Sequence, residues 1–228
     1  MDRLVYSKHK ARGTWVPGPW DNEPDKVQWK DPYSGLPCLA VRGPIGAWCG
    51  YVGVGPEHPW YGKDYSKCCT LPEPCGESYC PHSPEAQMHV HGGLTFADSC
   101  DEATPEVFAK FVQHFNQKLE EHRATAVRYP RGDSAEFLRV YEPLVGDYEK
   151  WKAHKQATSI CHIAGPGDFE PAWWFGFDCS HAGDSYPERS DSTLFRSYRD
   201  GSSTYKPLEY VVSECSKLAK QLAEVKAA

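Results

Sequence analysis

Residues 36–54, with the sequence LPCLAVRGPIGAWCGYVGV, contain two apolar runs separated by a glycine and a proline. These two residue types mark turns between strands, because glycine adopts unusual backbone angles and proline fixes one of them. We therefore predict strands over residues 36–42 and 45–54, joined at Gly43 and Pro44. This hairpin is expected to begin a mixed, mainly antiparallel sheet in an α+β protein.

Three further strands are predicted outside the hairpin. One covers residues 88–97 (MHVHGGLTFA), where apolar and polar residues alternate as they do in a half-buried strand. The other two cover residues 159–164 (SICHIA) and 172–179 (AWWFGFDC), with a turn at residues 165–168 between them. These segments supply the remaining strands of the predicted sheet.

Two or three helices are predicted to pack against the sheet. Thr104 and Pro105 are the residue types that open a helix, a capping side chain followed by proline. A second helical stretch, with a break, is predicted from Ser134 to about His154, ending near Thr158. The clearest helix is the last, whose apolar residues recur on one face: Leu208, Val211, Val212, Cys215, Leu218, Ala219 and Leu222.

The 228 residues are predicted to form a single domain with three irregular or inserted parts. Residues 1–35 are expected to be an irregular arm, rich in tryptophan and proline, whose Trp15, Trp20 and Trp29 pack onto the body. Residues 55–87 form a long cysteine-rich loop, and residues 104–158 a helical insertion. A loop of that length without its own core usually carries a function or a structural metal.

The charge and hydropathy of the chain exclude several classes of partner. Its formal net charge is −6, whereas binding to duplex nucleic acid requires clustered lysine and arginine. The sequence has no apolar run long enough to span a membrane and no secretion signal at its N-terminus, so we expect a cytoplasmic protein that does not bind membranes. In that compartment the 10 cysteines are expected to be reduced thiols or metal ligands rather than disulfides.

The MHVHGGLTFA segment predicts a metal site if it forms an extended strand. Alternate residues of a strand share a face, so His89, His91 and Thr95 would point together, away from the apolar residues. Two neighbouring imidazole nitrogens can bind one zinc or another divalent ion. The alternative is a pair of solvated or hydrogen-bonded histidines with no metal.

The segment WWFGFDCSHAGD, residues 173–184, is predicted to complete the same site. Asp178 and Asp184 are candidate ligands or general bases, and His181 is a candidate third nitrogen ligand. If the strand stayed extended beyond Asp178, Cys179 and His181 would instead continue the apolar face into the core. Gly183 indicates a turn, which would bring the polar residues to the end of the strand.

The loop at residues 55–87 contains a second set of possible metal ligands. Cys69, Cys75, Cys80 and His82 are spaced in a way that resembles a structural zinc site, although the usual short step between two cysteines is absent. Free thiols and disulfides are the alternatives. A looser third set, consisting of Cys100, Cys161 and His162, flanks the helical stretch.

These motifs resemble those of a family of proteins found in bacteriophage and bacterial genomes. The resemblance rests on GYVGV, VHGGLTF, ICHIAGPG and WWFGFDCSHAGD, and it covers most of residues 29–103 and 159–225 in the same order. Membership would imply a small accessory role, such as interference with a nucleotide used in host defence. It would imply no particular reaction.

Three classes of function follow from this sequence. The first is a metal-assisted hydrolase of a phosphoester or nucleotide-like small molecule, in which His89, His91 and His181 hold the metal and Asp178, Asp184 and His58 act in proton transfer. Its ligand pocket would include Thr95, Trp173 and Cys179. The alternative is a non-catalytic protein that binds or sequesters a small ligand or a host protein. A structural protein of a phage, which contacts its partner through the tryptophan-rich arm, is a further possibility.

Overall fold

A computed structural model of the chain describes residues 4–6, 15–43, 45–67, 80–100, 103–130, 133–160, 162, 172–187 and 203–226. The chain divides into two units, one formed by Met1–Cys100 with Ile160–Ala228 and the other by Asp101–Ser159. No helix within the described ranges is long and apolar enough to cross a bilayer.

The first unit is built on one antiparallel sheet with the strand order β1-β2-β3-β4-β6-β5. Its strands are β1 (Leu4–Tyr6), β2 (Lys26–Lys30), β3 (Pro37–Arg42), β4 (Trp48–Val54), β5 (Phe96–Ser99) and β6 (Trp173–Asp178). A separate two-stranded parallel pair consists of β7 (Asp184–Ser185) and β8 (Thr204–Tyr205). The predicted α+β class, the mainly antiparallel sheet and the hairpin formed by β3 and β4 are confirmed.

Helices α1 (Pro84–Gln87) and α5 (Leu208–Ala223) also belong to this unit. All seven apolar residues predicted to share a face of α5 are buried, and α5 packs on β3 and β4. Strands β3 and β4 are buried on both faces, which explains their nearly continuous apolar sequence. Val52 and Phe175 lie on the α5 side, whereas Leu39, Tyr51 and Trp174 form a second core on the other side.

The glycines inside β4 and β6 allow two aromatic rings to cross neighbouring strands. Gly50 pairs with Phe177 across the sheet, and Gly176 pairs with Tyr51. A Cβ atom at either glycine would collide with the ring of its partner residue. Gly50 and Gly176 therefore serve ring packing in a buried sheet.

A buried arginine stabilises the end of β3. The guanidinium group of Arg42 is fully buried and donates to Glu23 at 2.8 Å and to the hydroxyl of Tyr205 at 3.0 Å. Asp25 lies 3.5 Å away, and the guanidinium stacks over the ring of Trp48 with 4.3 Å to its centroid. The side chain of Glu23 is also only 16% exposed. The charges of Arg42 and Glu23 are therefore both largely removed from water, and each neutralises the other.

The second unit contains three helices, α2 (Pro105–Arg128), α3 (Asp133–Tyr141) and α4 (Tyr148–Thr158). The hydroxyl of Thr104 accepts a hydrogen bond from the amide of Val107 at 3.3 Å, so this residue caps α2 as predicted. A short 3₁₀ turn at Glu142–Leu144 separates α3 from α4, which is the predicted break. Aromatic side chains on the three helices, including Phe111, Phe137 and Trp151, pack on one another within this unit.

Three local predictions are wrong. Residues 26–30, predicted to be irregular, form β2 and carry Trp29 into the core. Residues 88–95 form turns and extended coil, and the strand begins only at Phe96. Ser159 and Ile160 are not in a strand, and the predicted strand over 159–164 otherwise lies mostly outside the described residues.

Candidate functional site

The segment between α1 and β5 runs along α5 and is held there by side chains of that helix. The amide of His89 donates to Gln221 Oε1 at 2.7 Å, and the amide of His91 donates to Glu214 Oε2 at 2.9 Å. Gly92 and Gly93 then adopt left-handed angles, with φ of 67° and 87°. Gln221 and Glu214 thus accept the backbone hydrogen bonds that a neighbouring strand would otherwise accept. The prediction that His89 and His91 share the polar face of a strand is therefore wrong.

His91 has both ring nitrogens in short polar contacts. Its Nε2 lies 2.7 Å from Asp184 Oδ2, and its Nδ1 lies 3.0 Å from the hydroxyl of Tyr210 on α5. The rings of His91 and Tyr210 meet edge to face with 5.5 Å between their centroids. His91 therefore lies between a carboxylate and a phenol, in one continuous hydrogen-bonded chain.

Asp184 lies at this position because the chain turns after β6. Strand β6 ends at Asp178, and Asp184 begins β7, so the turn at Gly183 was predicted correctly. The carboxylate of Asp184 is 3% exposed, and its Oδ2 also accepts the amide of His181 at 3.0 Å. Pairing of β7 with β8 brings the Nζ of Lys206 to 3.5 Å from Asp184 Oδ1.

His181 joins the same group of side chains, as the sequence predicted. Its ring lies 5.6 Å from the ring of His91, centroid to centroid, and packs directly over Gly92, where a Cβ atom would overlap it. Although the side chain is 34% exposed, Nε2 is buried without a hydrogen-bond partner among the described residues. Asp178 Oδ1 lies 3.8 Å from this nitrogen.

Asp178 is tied to the turn rather than to His91. Thr95 donates to Asp178 Oδ2 at 3.0 Å, and the hydroxyl of Ser180 donates to Oδ1. Burial alone would raise the pKa of Asp178, but the hydrogen bonds from Ser180 and Thr95 and the proximity of His181 outweigh it. The pKa of Asp178 therefore lies below its ordinary value, and this residue is a carboxylate at neutral pH.

The hydrogen-bonded chain assigns proton positions within the site. The carboxylate of Asp184 accepts the Nε2 proton of His91, which leaves the lone pair on Nδ1 to accept the Tyr210 hydroxyl. Burial, and after it the charge of Glu214, raise the pKa of Tyr210, so the phenol keeps its proton at neutral pH. We refer to His91, His181, Asp184, Lys206 and Tyr210 as the His91 cluster.

Three predicted site residues lie elsewhere. The side chain of His89 is exposed, and its backbone is held by Gln221. The Nε2 of His58 donates to the carbonyl of Leu222, about two turns of α5, or roughly 12 Å, beyond Glu214. Trp173 begins β6, at the opposite end of that strand from Asp178, and its indole donates to the carbonyl of Lys63.

The cysteines take different places in the structure. Cys179 is buried in the core beneath α5, and burial raises its pKa well above that of a free thiol. Among the described cysteines, Cys38, Cys49, Cys179 and Cys215 are free thiols. Cys80 is buried and His82 is half-buried, but Cys69 and Cys75 lie outside the described residues, so the structural zinc stays a prediction.

The donors of the His91 cluster are arranged for hydrogen bonding. Within the described ranges, no group of three or more histidine, cysteine, aspartate or glutamate side chains is arranged to hold a metal ion. Two ligands of one tetrahedral zinc lie about 3.3 Å apart, because each bond is about 2.0–2.1 Å long. The 2.7 Å separation of His91 Nε2 and Asp184 Oδ2 is that of a direct hydrogen bond.

Sequence reasoning missed Lys206, Tyr210 and Glu214. Glu214 is 5% exposed and lies beside the apolar face of α5, next to Cys215. A carboxylate beside the apolar face of a helix is unusual, and Tyr210 precedes it by one helical turn. These two features of the sequence could have indicated Glu214 and Tyr210 as site residues. The position of Lys206 could not be predicted in this way, because it follows from β-pairing between segments distant in sequence.

Comparison of the chain with protein-family models, with curated proteins and with solved structures finds no match. The resemblance to proteins of phage and bacterial genomes therefore stays a prediction.

The position of His58 predicts a pH effect on stability. Burial lowers the pKa of His58, and the hydrogen bond to Leu222 only partly opposes this effect. As the pH falls below about 6.5, the His58 imidazole becomes protonated more readily in the unfolded chain than in the folded chain. The free energy of unfolding therefore decreases. In urea unfolding, the free energy of unfolding is expected to decrease less between pH 7 and pH 5 for His58→Gln than for the wild type. An equal loss would contradict the assignment, and His89→Gln, at an exposed imidazole, is the matched control.

Proposed function

We propose that this protein is a hydrolase of a phosphoester or nucleotide-like small molecule, with His91 as its general acid–base residue. The observation that supports the proposal is the hydrogen-bonded chain from the carboxylate of Asp184 through His91 to Tyr210. A histidine held by a buried carboxylate has a defined tautomer and orientation, which is the arrangement that positioned proton transfer requires.

Each member of the chain has a distinct role in this proposal. Asp184 fixes the proton on Nε2 and stabilises the imidazolium that forms when Nδ1 accepts a proton. Tyr210 keeps its proton at neutral pH and is the group through which a proton passes between Nδ1 and the substrate. Removing one such group usually lowers a rate by about 10²–10⁴-fold.

Lys206 favours an anionic substrate at this site. Its Nζ lies 3.5 Å from Asp184 Oδ1 and 5.6 Å from the centroid of the Tyr210 ring. The side chain retains partial exposure, so the ammonium group can contact a phosphate without moving far. A second nitrogen, His181 Nε2, is available to bind the substrate once the ring rotates away from Gly92.

The metal-assisted form predicted from the sequence requires a rearrangement. His91 would have to give up one of its two contacts, to Asp184 or to Tyr210, in order to bind a zinc or other divalent ion together with His181. We propose that His91 exchanges protons with the substrate through Tyr210 without a metal, so activity should persist after metal is removed. Measuring the metal content of the purified protein, and hydrolysis before and after chelation, distinguishes the two forms.

The test is hydrolysis of 4-nitrophenyl phosphate, bis(4-nitrophenyl) phosphate and a panel of nucleotides. Asp184→Asn keeps the shape of the side chain but no longer fixes the His91 tautomer, so we expect kcat/KM to fall by about 10²–10⁴-fold. Tyr210→Phe removes only the hydroxyl and is expected to lower kcat. His89→Gln, in the same segment but exposed, should retain full activity.

Two results would overturn the proposal. One is a wild-type protein that hydrolyses none of these compounds. The other is a measurable activity that Asp184→Asn leaves unchanged. Thermal unfolding of each variant ensures that a loss of activity is not a loss of folding.

A second candidate function, non-catalytic binding of a small ligand, is favoured by a groove at the C-terminal end of α5. The groove has a volume of about 360 Å³ and is lined by Trp60, Gln87, Met88, Gln221, Glu224, Val225 and Lys226. A nucleotide that binds and is recovered intact, with affinity lost in Gln221→Ala but kept in Asp184→Asn, would support this alternative.

A further inference from the structure

On the face of the sheet away from α5, a cysteine lies beside a histidine and a tryptophan. The Sγ of Cys100 is 3.5 Å from Nδ1 of His162, and the indole Nε1 of Trp174 donates to the same sulfur at 3.3 Å. The rings of His162 and Trp174 meet edge to face with 5.1 Å between their centroids. Cys100 is half-buried, whereas His162 and Trp174 are buried.

These three contacts form the arrangement that activates a thiol. The reactive form of cysteine is the thiolate, and a neighbouring imidazole accepts the proton that must leave. When Nδ1 of His162 carries the lone pair, it is the base within reach of the thiol. The Trp174 N–H then stabilises the negative charge on sulfur through a charge-assisted hydrogen bond.

We propose that Cys100 is a nucleophilic thiol, with His162 as its base, that reacts covalently with small electrophiles. This site is independent of the His91 cluster, because Trp174 belongs to the second core whereas the His91 cluster contacts α5. Its activity therefore does not depend on the proposed hydrolysis.

The reaction with iodoacetamide illustrates the chemistry. The thiol proton moves to Nδ1 of His162, and the sulfur attacks the methylene carbon of the reagent. A carbon–sulfur bond forms as the carbon–iodine bond breaks, and iodide leaves with the electron pair. No oxidant or metal is required.

Four other described cysteines of the same unit provide internal comparisons. Burial raises the pKa of Cys38, Cys179 and Cys215, and all three belong to the core between the sheet and α5. Cys49 is half-buried like Cys100 and borders the same second core, but burial raises its pKa to about 11. Cys49 is therefore the matched control for Cys100.

The experiment is time-resolved alkylation of the native full chain by iodoacetamide at pH 7, with each site followed by peptide mass spectrometry. We expect Cys100 to react at least about 10-fold faster than Cys49, because each pH unit of thiol acidity changes the thiolate fraction by that factor. Equal or slower reaction of Cys100 would overturn the proposal, and this comparison needs no variant.

A variant tests the role of the histidine. His162→Gln keeps a polar side chain of similar reach but cannot act as a base, so we expect alkylation of Cys100 to slow by about 10-fold or more. The rate at Cys49 should stay as in the wild type, which also reports that the sheet remains folded. An unchanged rate at Cys100 in a folded His162→Gln protein would show that the histidine does not activate the thiol.

Discussion

Replacing Arg42 with methionine is expected to lower the free energy of unfolding by about 3–5 kcal/mol, because the carboxylates it compensates remain buried. Glu23 and Asp25 lie 2.8 Å and 3.5 Å from the guanidinium, and their side chains are 16% and 2% exposed. Methionine matches much of the arginine stem in volume but supplies no donor. The measurement is urea unfolding, followed by tryptophan fluorescence.

Two further variants separate the causes of this loss. Arg42→Lys keeps the charge but not the planar group that reaches both Glu23 and Tyr205, so we expect an intermediate loss. Lys67→Met removes an exposed cation that pairs with Asp64 at 3.6 Å, and should cost less than about 1 kcal/mol. Equal effects of Arg42→Met and Lys67→Met would show that burial of the Arg42 pair has no energetic consequence.

Gly92→Ala is expected to displace the His181 ring from its place beside His91. The alanine methyl group would occupy the space of the His181 ring, and the backbone at φ 67° adds about 1 kcal/mol of strain for any residue with a Cβ atom. His181 must then move away from His91, to which its ring now lies close. Imidazole NMR signals of His181 and His91 report this movement, whatever substrate is used.

The adjacent glycine provides the control. Gly93 has φ of 87°, but a Cβ atom there would meet open space. Gly93→Ala therefore carries the backbone strain without the collision, and it should lower stability while leaving the His181 signals in place. If both variants shift His181 equally, backbone strain rather than the close approach of Gly92 controls the site.

Much of the fold follows from local patterns in the sequence. The hairpin of β3 and β4, the cap at Thr104 and the face of α5 are each encoded within a few neighbouring residues. Strand β2 was not recognised, because the apolar residues of KVQWK are flanked by charges and prolines. Its burial depends on pairing with β3, which no local pattern records.

The site was predicted in part. His91, His181 and Asp184 lie together, as the two motifs suggested, and the turn after Asp178 makes this possible. The predicted reason was incorrect, since residues 88–95 are not a strand and His89 points to solvent. The metal roles assigned to these residues stay predictions, and the structure adds a hydrogen-bonded chain from Asp184 through His91 to Tyr210.

By itself, the sequence determined the hairpin of β3 and β4, the buried face of α5 and the residue types present at the site, because these depend on residue type and short spacing. Only the tertiary structure decided the partners of His91. Asp184 approaches it through a turn and Tyr210 through a packed helix, and Glu214 on α5 holds its backbone. Lys206 joins Asp184 through a parallel strand pair. These contacts join residues far apart in the chain, and burial of the side chains gives them their strength.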